Sequence, residues 1–501
     1  MYIPQLLKDF VVRSSTLTIV KLIGALGRLI LFRLLGAEGI GLYQMAYSYY
    51  GLMITFITGG FASSISLATA KDIQTGRRLF HLSLFILLFL GAAGGFFTYF
   101  FAHPIAAIFN KTELVRPIQL LAPAILLVPV LSLIRGFLQG VSRYGYIAMS
   151  ELIEQVVRVI GMVFLAGYLL QFGLSEAVTG VIVGALLGAL IAFLFLLIPL
   201  SSATPNLPER HKPQSTAIPV FILSCLAIMG TRIILPVTDF IDSLLVPNRL
   251  VFAGYSAQEA TVIFGEFFGI TATVVYVPAL ITSSLGHIIM PRLTTAWCTL
   301  DVPGFMAKLK VAFTTALLWG LCSSYLLAVY ADTISALVIG NDSLSSTIRY
   351  LSIIPLLTGI RELSTVVLWT MDIKRKPFVG LILATGVSTI VNFLVIGIPG
   401  YSMMGIALGI LSFEITSLMV NLAALKKEIA PQKIRVFDWK EMMICAIFLV
   451  FLHVSAGFFR SPAIFSNPAW APYAAMGLSL LLIPPYLFWH LMYSRRKTRP
   501  W

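Results

Sequence analysis

Charge is scarce in this chain. Asp, Glu, Lys and Arg make up 11% of its 501 residues, where soluble domains carry roughly 25%, and the mean hydropathy is +0.93. A water-soluble fold is excluded. Cysteine is nearly lacking as well: Cys225, Cys298, Cys322 and Cys445 are scattered, with no pair at metal-ligand spacing and none clustered in an outer loop. They read as packing residues, and no metal site is expected. There is no nucleotide-binding loop, no GxSxG elbow and no HExxH pair, so neither an enzyme nor a cofactor is expected. Residues 1–10 hold no apolar run that ends in a small-residue cleavage site, so the first apolar segment is expected to be retained.

What the chain has instead is hydrophobic length. Apolar runs fall at about 11–34, 40–65, 80–102, 117–140, 151–171, 174–199, 217–246, 259–285, 309–330, 346–371, 378–397, 402–424, 441–458 and 471–492, and crossing a bilayer takes roughly 20 residues. These fourteen stretches predict an all-α polytopic membrane protein. The formal net charge of +14 could suggest nucleic acid, but the basic residues lie in short loops between the apolar runs. With the N-terminus inside, 23 of the 35 Lys and Arg residues fall in inner segments, five outside and seven in the spans. That bias follows the positive-inside rule, and an even number of spans puts both termini in the cytoplasm.

The one polar insertion of note, SSATPNLPERHKPQS at 201–215, reads as a cytoplasmic linker between two lobes. LLAPAILLVPVLSLIRGFLQG, ending at Gly140, and LSIIPLLTGIRELSTVVLWTMD, ending at Asp372, share a Pro, an internal Arg and a basic loop after them. Gly180, Gly184 and Gly188 in the sixth span, and Gly405 and Gly409 in the twelfth, suit close helix contact. The expected organisation is therefore a six-helix lobe at 1–200, a linker at 201–216, a second six-helix lobe at 217–425, and a loop, helix pair and basic tail at 426–501. Repeats of this kind build alternating access around a midplane site.

Ionised residues inside spans cost roughly 2.5–3.5 kcal/mol each, so those that are kept usually line a wet pathway. In the first span Lys21 and Arg28 are seven residues apart on one helical face, and Arg33 is turned about 140° further round. A cationic stripe suits a polyanionic headgroup such as a pyrophosphate. The competing reading has Lys21 and Arg33 snorkelling to the two surfaces. The seventh span carries Arg232, Asp239 and Asp242 around Pro236, which predicts a bent helix. Asp239 could act with Glu266 as an H+ or Na+ site or simply neutralise Arg232. Glu151, Glu154 and Arg158 open the fifth span at helical spacing, Glu154 and Arg158 as an i,i+4 pair. Arg135, and Arg361 with Glu362, sit at comparable places in the two lobes, where ion pairs across the lobes would make a gate. Glu414 stands alone on the twelfth span, and His81, His103, His287, His453 and His490 lie near span ends.

Two segments carry a family resemblance. GRLILFRLLGAEGIGLYQMAYSYYGLMITFITGGFASSISLATAK at 27–71 presents Arg28, Gly36, Glu38, Gly39, Gly41 and Tyr43, and LSLIRGFLQGVSRYGYIAMSELIEQVVRV at 131–159 presents Arg135, Gly136, Gln139, Gly140, Glu154, Gln155 and Arg158. They resemble the stage V sporulation protein B and polysaccharide exporter family of the multidrug/oligosaccharidyl-lipid/polysaccharide flippase superfamily. The resemblance implies two pseudo-symmetric six-helix bundles plus a C-terminal pair, and a lipid-linked saccharide or peptidoglycan precursor as substrate. It also implies a basic central cavity, to which Lys21, Arg28 and Arg232 correspond in type. The chain departs from these relatives at Tyr144, Gly145 and Tyr146, which leaves the saccharide open. A cation-coupled multidrug exporter of the same fold is the alternative, with Lys21 and Arg28 against it, and a membrane glycosyltransferase or polymerase would need a soluble domain or acidic outer loops that the sequence lacks.

Overall fold

In hydrocarbon every backbone N–H and C=O must be satisfied within the chain, and a helix does this segment by segment. A computed structural model describes residues 3–202, 217–429, 439–459 and 470–497, and no strand occurs among them. Packing divides the chain into two units, Met1–Ile270 and Thr271–Trp501. The first holds α1 (Ile3–Thr58), α2 (Phe61–Lys71), α3 (Ile73–Phe100), α4 (Ala102–Ile108), α5 (Val115–Gly140), α6 (Tyr144–Leu169), α7 (Leu174–Ser202), α8 (Ala217–Arg232), α9 (Ile234–Phe252) and α10 (Ala257–Phe264). A π-helical stretch, Gly265–Thr271, leads out of α10. The second unit holds α11 (Ala272–Tyr276), α12 (Ala279–Cys298), α13 (Val302–Val329), α14 (Ala331–Ile339), α15 (Ser345–Tyr350), α16 (Ile354–Thr370), α17 (Arg375–Ile396), α18 (Ser402–Ile429), α19 (Trp439–Phe459) and α20 (Ala471–Lys497).

Among the described residues nine helices are long and apolar enough to cross a membrane, or ten if the bent pair α8–α9 is one span. The expected count of fourteen is not reached by that measure. Of the four stretches that fall short, the first carries Lys21, Arg28 and Arg33, the second is rich in Tyr and Ser, and the tenth holds Arg361 and Glu362, whereas the thirteenth is described as an apolar helix only over Met442–Ser455. The second stretch ends in α2, but the first and most of the second lie in α1, separated by Gly36 at φ 70°, ψ −177°. That conformation is essentially open to glycine alone.

The division at Ile270 falls later than the linker expected at 201–216, of which residues 203–216 lie outside the described part. Glycine accounts for the difference: α9 and α10 pack on α1 within the first unit, and a Cβ on Gly41, Gly265 or Gly269 would collide with Thr261, Ala37 or Ile40. The two Gly ladders behave as expected. A Cβ on Gly188 of α7 would stand 2.6 Å from the Glu154 carbonyl on α6, and one on Gly405 of α18 would stand 2.8 Å from the Ile396 nitrogen on α17. Within the first unit α5 packs on α3 and α7, and α6 on α7; within the second α16 packs on α13 and α18, and α17 on α18. The two Pro- and Arg-bearing segments therefore keep corresponding helical company.

The second unit has its core where α12, α13, α16 and α18 meet, around Leu293, Phe305, Phe313, Leu363 and Val367. A separate cluster joins α13 to the C-terminal pair, with Tyr486 stacked on Phe448 at 3.8 Å. There the buried thiols of Cys322 and Cys445 come close together. Their separation of more than a hundred residues concealed that contact in the sequence.

Candidate functional site

In the first unit, α1 approaches α6 closely because two glycines on its inner face leave room. A Cβ on Gly24 would lie 2.8 Å from Gln155 Nε2, and one on Gly27 would lie 2.7 Å from Val159 Cγ2. Arg28 follows one residue later and is half-buried, while Lys21, two turns earlier, is exposed. Arg28 lies near enough to Tyr43, beyond the Gly36 break, and to Asp239 on α9 to act on both electrostatically. Among the described residues it forms no ion pair, whereas Arg33 is exposed and has contacts of its own.

The bend expected at Pro236 is present. α8 and α9 meet at 42° around Ile233, where Pro236 has no N–H for the Arg232 carbonyl four residues back. The bend separates the two charges that the sequence placed on one face. Arg232 turns to α2 and donates to Ser63 Oγ at 2.9 Å, and Asp239, exposed, faces the field of Arg28 instead. An Arg232–Asp239 pair is not formed. Asp242 is buried, and beside it Ser243 shares a 2.7 Å hydrogen bond with Ser48 of α1. Glu266 sits in the π-helical stretch, half-buried; such wide turns in helices often mark functional positions.

Glu154 on α6 is held from two sides. Arg135 of α5 reaches one carboxylate oxygen at 2.8 Å and Ser150 at 3.1 Å, and Arg158 binds the other oxygen in the expected i,i+4 pair. The triad carries one net positive charge. Arg361 is the counterpart in the second unit: its Nε lies 2.7 Å from Glu414, with Glu362 at 4.0 Å and the Tyr276 hydroxyl 3.1 Å from the same Glu414 carboxylate. Asn421 bonds the Arg361 carbonyl at 3.3 Å. The carboxylate that Arg135 or Arg361 reaches thus lies in its own unit, contrary to the expectation of pairs across the lobes, because each Arg is already within reach of a helix packed beside it. Glu414 is not solitary. Residue spacing within one helix could reveal Glu154–Arg158, but no sequence signal could reveal Arg361–Glu414, 53 positions apart.

Sequence reasoning named Tyr43 only as part of the family resemblance and passed over Tyr47 and Tyr50. Tyr43, Tyr47 and Tyr50 form a column on α1, with ring centroids 5.5 and 5.8 Å apart, and Arg158 acts electrostatically on Tyr43 and Tyr50. Their i, i+4, i+7 spacing was the available signal. Tyr49 points elsewhere, bonding Thr98 at 2.8 Å.

A helical chain with charges kept among membrane-crossing helices defines a polytopic membrane protein of the transporter type. The chain belongs to the polysaccharide biosynthesis protein family, whose model matches residues 6–297. It is 24% identical over 497 residues to stage V sporulation protein B of Bacillus subtilis (strain 168), covering 95% of each chain. It is 25% identical over 299 residues, 53% of each chain, to lipid II flippase MurJ of the same organism. Among solved structures it resembles lipid II flippase MurJ in an inward closed conformation, with a TM-score of 0.72, 14% identity and coverage of 96% of this chain and 100% of that one. An inward-facing multidrug resistance MATE family transporter of the MOP superfamily matches with a TM-score of 0.66 and 16% identity, over 85% of this chain and 99% of that one.

Proposed function

We propose that this protein flips an undecaprenyl-linked saccharide or peptidoglycan precursor across the bacterial cytoplasmic membrane by alternating access, in cell-wall or spore-cortex synthesis. Both termini lie in the cytoplasm, and the chain acts as a transporter with no catalytic step of its own. The observation that carries the reading is Arg28: a guanidinium in the first span, half-buried, without a carboxylate in ion-pair contact among the described residues and with Asp239 and Tyr43 in its field. Such a group is available to bind a pyrophosphate bidentately. Lys21 and Arg232 extend the basic surface, and the polyprenyl tail stays in lipid. Asp239, Asp242 and Glu266 are the candidates for coupling to H+ or Na+, and Arg135, Arg361 and Glu362 for gating. The names of the matched relatives, a lipid II flippase among them, agree with this substrate class.

One observation favours a second reading, a cation-coupled multidrug exporter: Asp239 stands exposed, with no ion-pair contact among the described residues, as a proton-carrying carboxylate would. Cells lacking the gene separate the two. The flippase reading expects a lipid-linked intermediate to accumulate on the inner leaflet, with drug sensitivity unchanged. Increased drug sensitivity without that accumulation would favour the exporter.

A further inference from the structure

In the column Tyr43–Tyr47–Tyr50, Tyr43 is buried in the core, but packing does not account for Tyr47 and Tyr50, which are half-buried. Tyr49, between them in sequence, is a packing residue, with its hydroxyl on Thr98 and its ring 6.5 Å from Phe240. The other three turn toward the charged residues of α6. Arg28 and Arg158 both act on Tyr43, and Glu154 and Arg158 act on Tyr50. Tyr47 and Tyr50 keep accessible surface. Arg158 gives one nitrogen to Glu154, while its buried Nε has no hydrogen-bond partner. Four residues beyond Tyr47, on the same face, stands Gly51, where an added Cβ would meet nothing within 4 Å. The face thus runs from the buried Tyr43 through two half-buried phenol rings to the unfilled space beside Gly51. From Tyr43 to Tyr50 it spans about 10 Å at 1.5 Å per residue.

We infer that the Tyr47–Tyr50–Gly51 face of α1, with Tyr43 packed behind it and Glu154 and Arg158 on the neighbouring α6, is a carbohydrate subsite that holds the pyranose rings of the substrate while Arg28 holds its phosphate. This rests on the flippase reading and adds where the sugar lies. A phenol ring offers a flat apolar face to the C–H side of a pyranose and a hydroxyl that both donates and accepts. It does so at small entropic cost, because only two side-chain torsions are fixed. Glu154 accepts from sugar hydroxyls. Gly51 leaves room for the far ring. A site for a lipophilic cation would instead set uncompensated acids among the rings, and here the neighbouring acid is already matched by two arginines.

The test measures binding of two lipids to the purified full chain in nanodiscs: a bare polyprenyl pyrophosphate and the same lipid carrying a disaccharide. The intact protein should prefer the glycosylated lipid. Tyr47→Leu removes the ring, and Gly51→Leu extends into the space beside Gly51, where an added Cβ meets nothing within 4 Å; the melting temperature of each variant checks that it folds. Each should cut the preference roughly tenfold, with the loss confined to the glycosylated lipid, and Tyr47→Phe should keep most of it. Unchanged preference in both Leu variants overturns the subsite. So does equal binding of the two lipids by the intact protein, which would leave the flippase reading standing on the phosphate contact alone. If the intact protein bound neither lipid, the flippase reading itself would fall and the subsite with it.

Discussion

Two arginine–carboxylate pairs in the second unit differ sharply in what their loss costs. Glu414 is 1% exposed and its partner Arg361 is nearly enclosed, so removing the carboxylate leaves a cation that neither water nor lipid can solvate. Breaking such a pair costs roughly 3–5 kcal/mol. Arg349 and Asp332 also touch, but their side chains are 50% and 59% exposed, and a pair in that setting contributes about 0–1 kcal/mol. Thermal unfolding in detergent should therefore show Glu414→Ala strongly destabilised and Asp332→Ala close to the parent. The double variant Arg361→Met/Glu414→Leu should recover much of the loss, since it leaves no orphaned charge. Equal effects of the two single variants would contradict this assignment. The charges themselves were legible in the sequence, as was the Glu154–Arg158 pair, because four residues is one helical turn. The partners of Arg135, Arg361 and Arg232 were not, because they depend on which helices become neighbours.

At the scale of elements, glycine decides where helices bend and how closely they meet. Gly36 and Gly51 lie on the same helix with opposite demands. Gly36 adopts a backbone conformation that costs other residues about 1–3 kcal/mol, so Gly36→Ala should lower the melting temperature. Gly51 is helical in open surroundings, and Gly51→Ala should leave stability unchanged or raise it by up to about 1 kcal/mol. Gly188→Ala would push a methyl group to 2.6 Å from a carbonyl and 3.0 Å from the Arg158 nitrogen. Overpacking of that kind costs typically 1–3 kcal/mol. Calorimetry that ranks Gly51→Ala below Gly188→Ala would refute the packing described for α6 and α7. The ladders in α7 and α18 could be read from sequence because their spacing repeats. The pairing of Gly41 and Gly265 could not, since each is isolated in its own segment and only the fold brings them together. The same holds for the π-helical stretch at Glu266, which has no marker in composition.

For the molecule as a whole, hydropathy and basic-residue bias foretold an all-helical polytopic chain, and the family model and solved relatives agree with it. The place where packing divides the chain was not legible, because a polar segment marks where a lobe can be joined and not which helices adhere. The topology gives a direct prediction. A single cysteine at Thr204→Cys, in a version lacking the four native cysteines, should resist an impermeant thiol reagent added outside intact cells and react once the cells are opened. Rapid labelling from outside would place that segment, and with it both termini, on the wrong side.

The central claim is that Arg28 holds the phosphate of a lipid-linked saccharide during its passage. The measurement that tests it most directly is leaflet reorientation of a labelled lipid-linked saccharide in vesicles containing the purified protein. Arg28→Ala should abolish reorientation while expression and melting stay near the parent, since removing a charge from the span relieves an insertion cost of roughly 2.5–3.5 kcal/mol. Arg28→Lys, which keeps the charge but loses the bidentate geometry, should restore part of the activity. Full reorientation by the alanine variant would contradict the account.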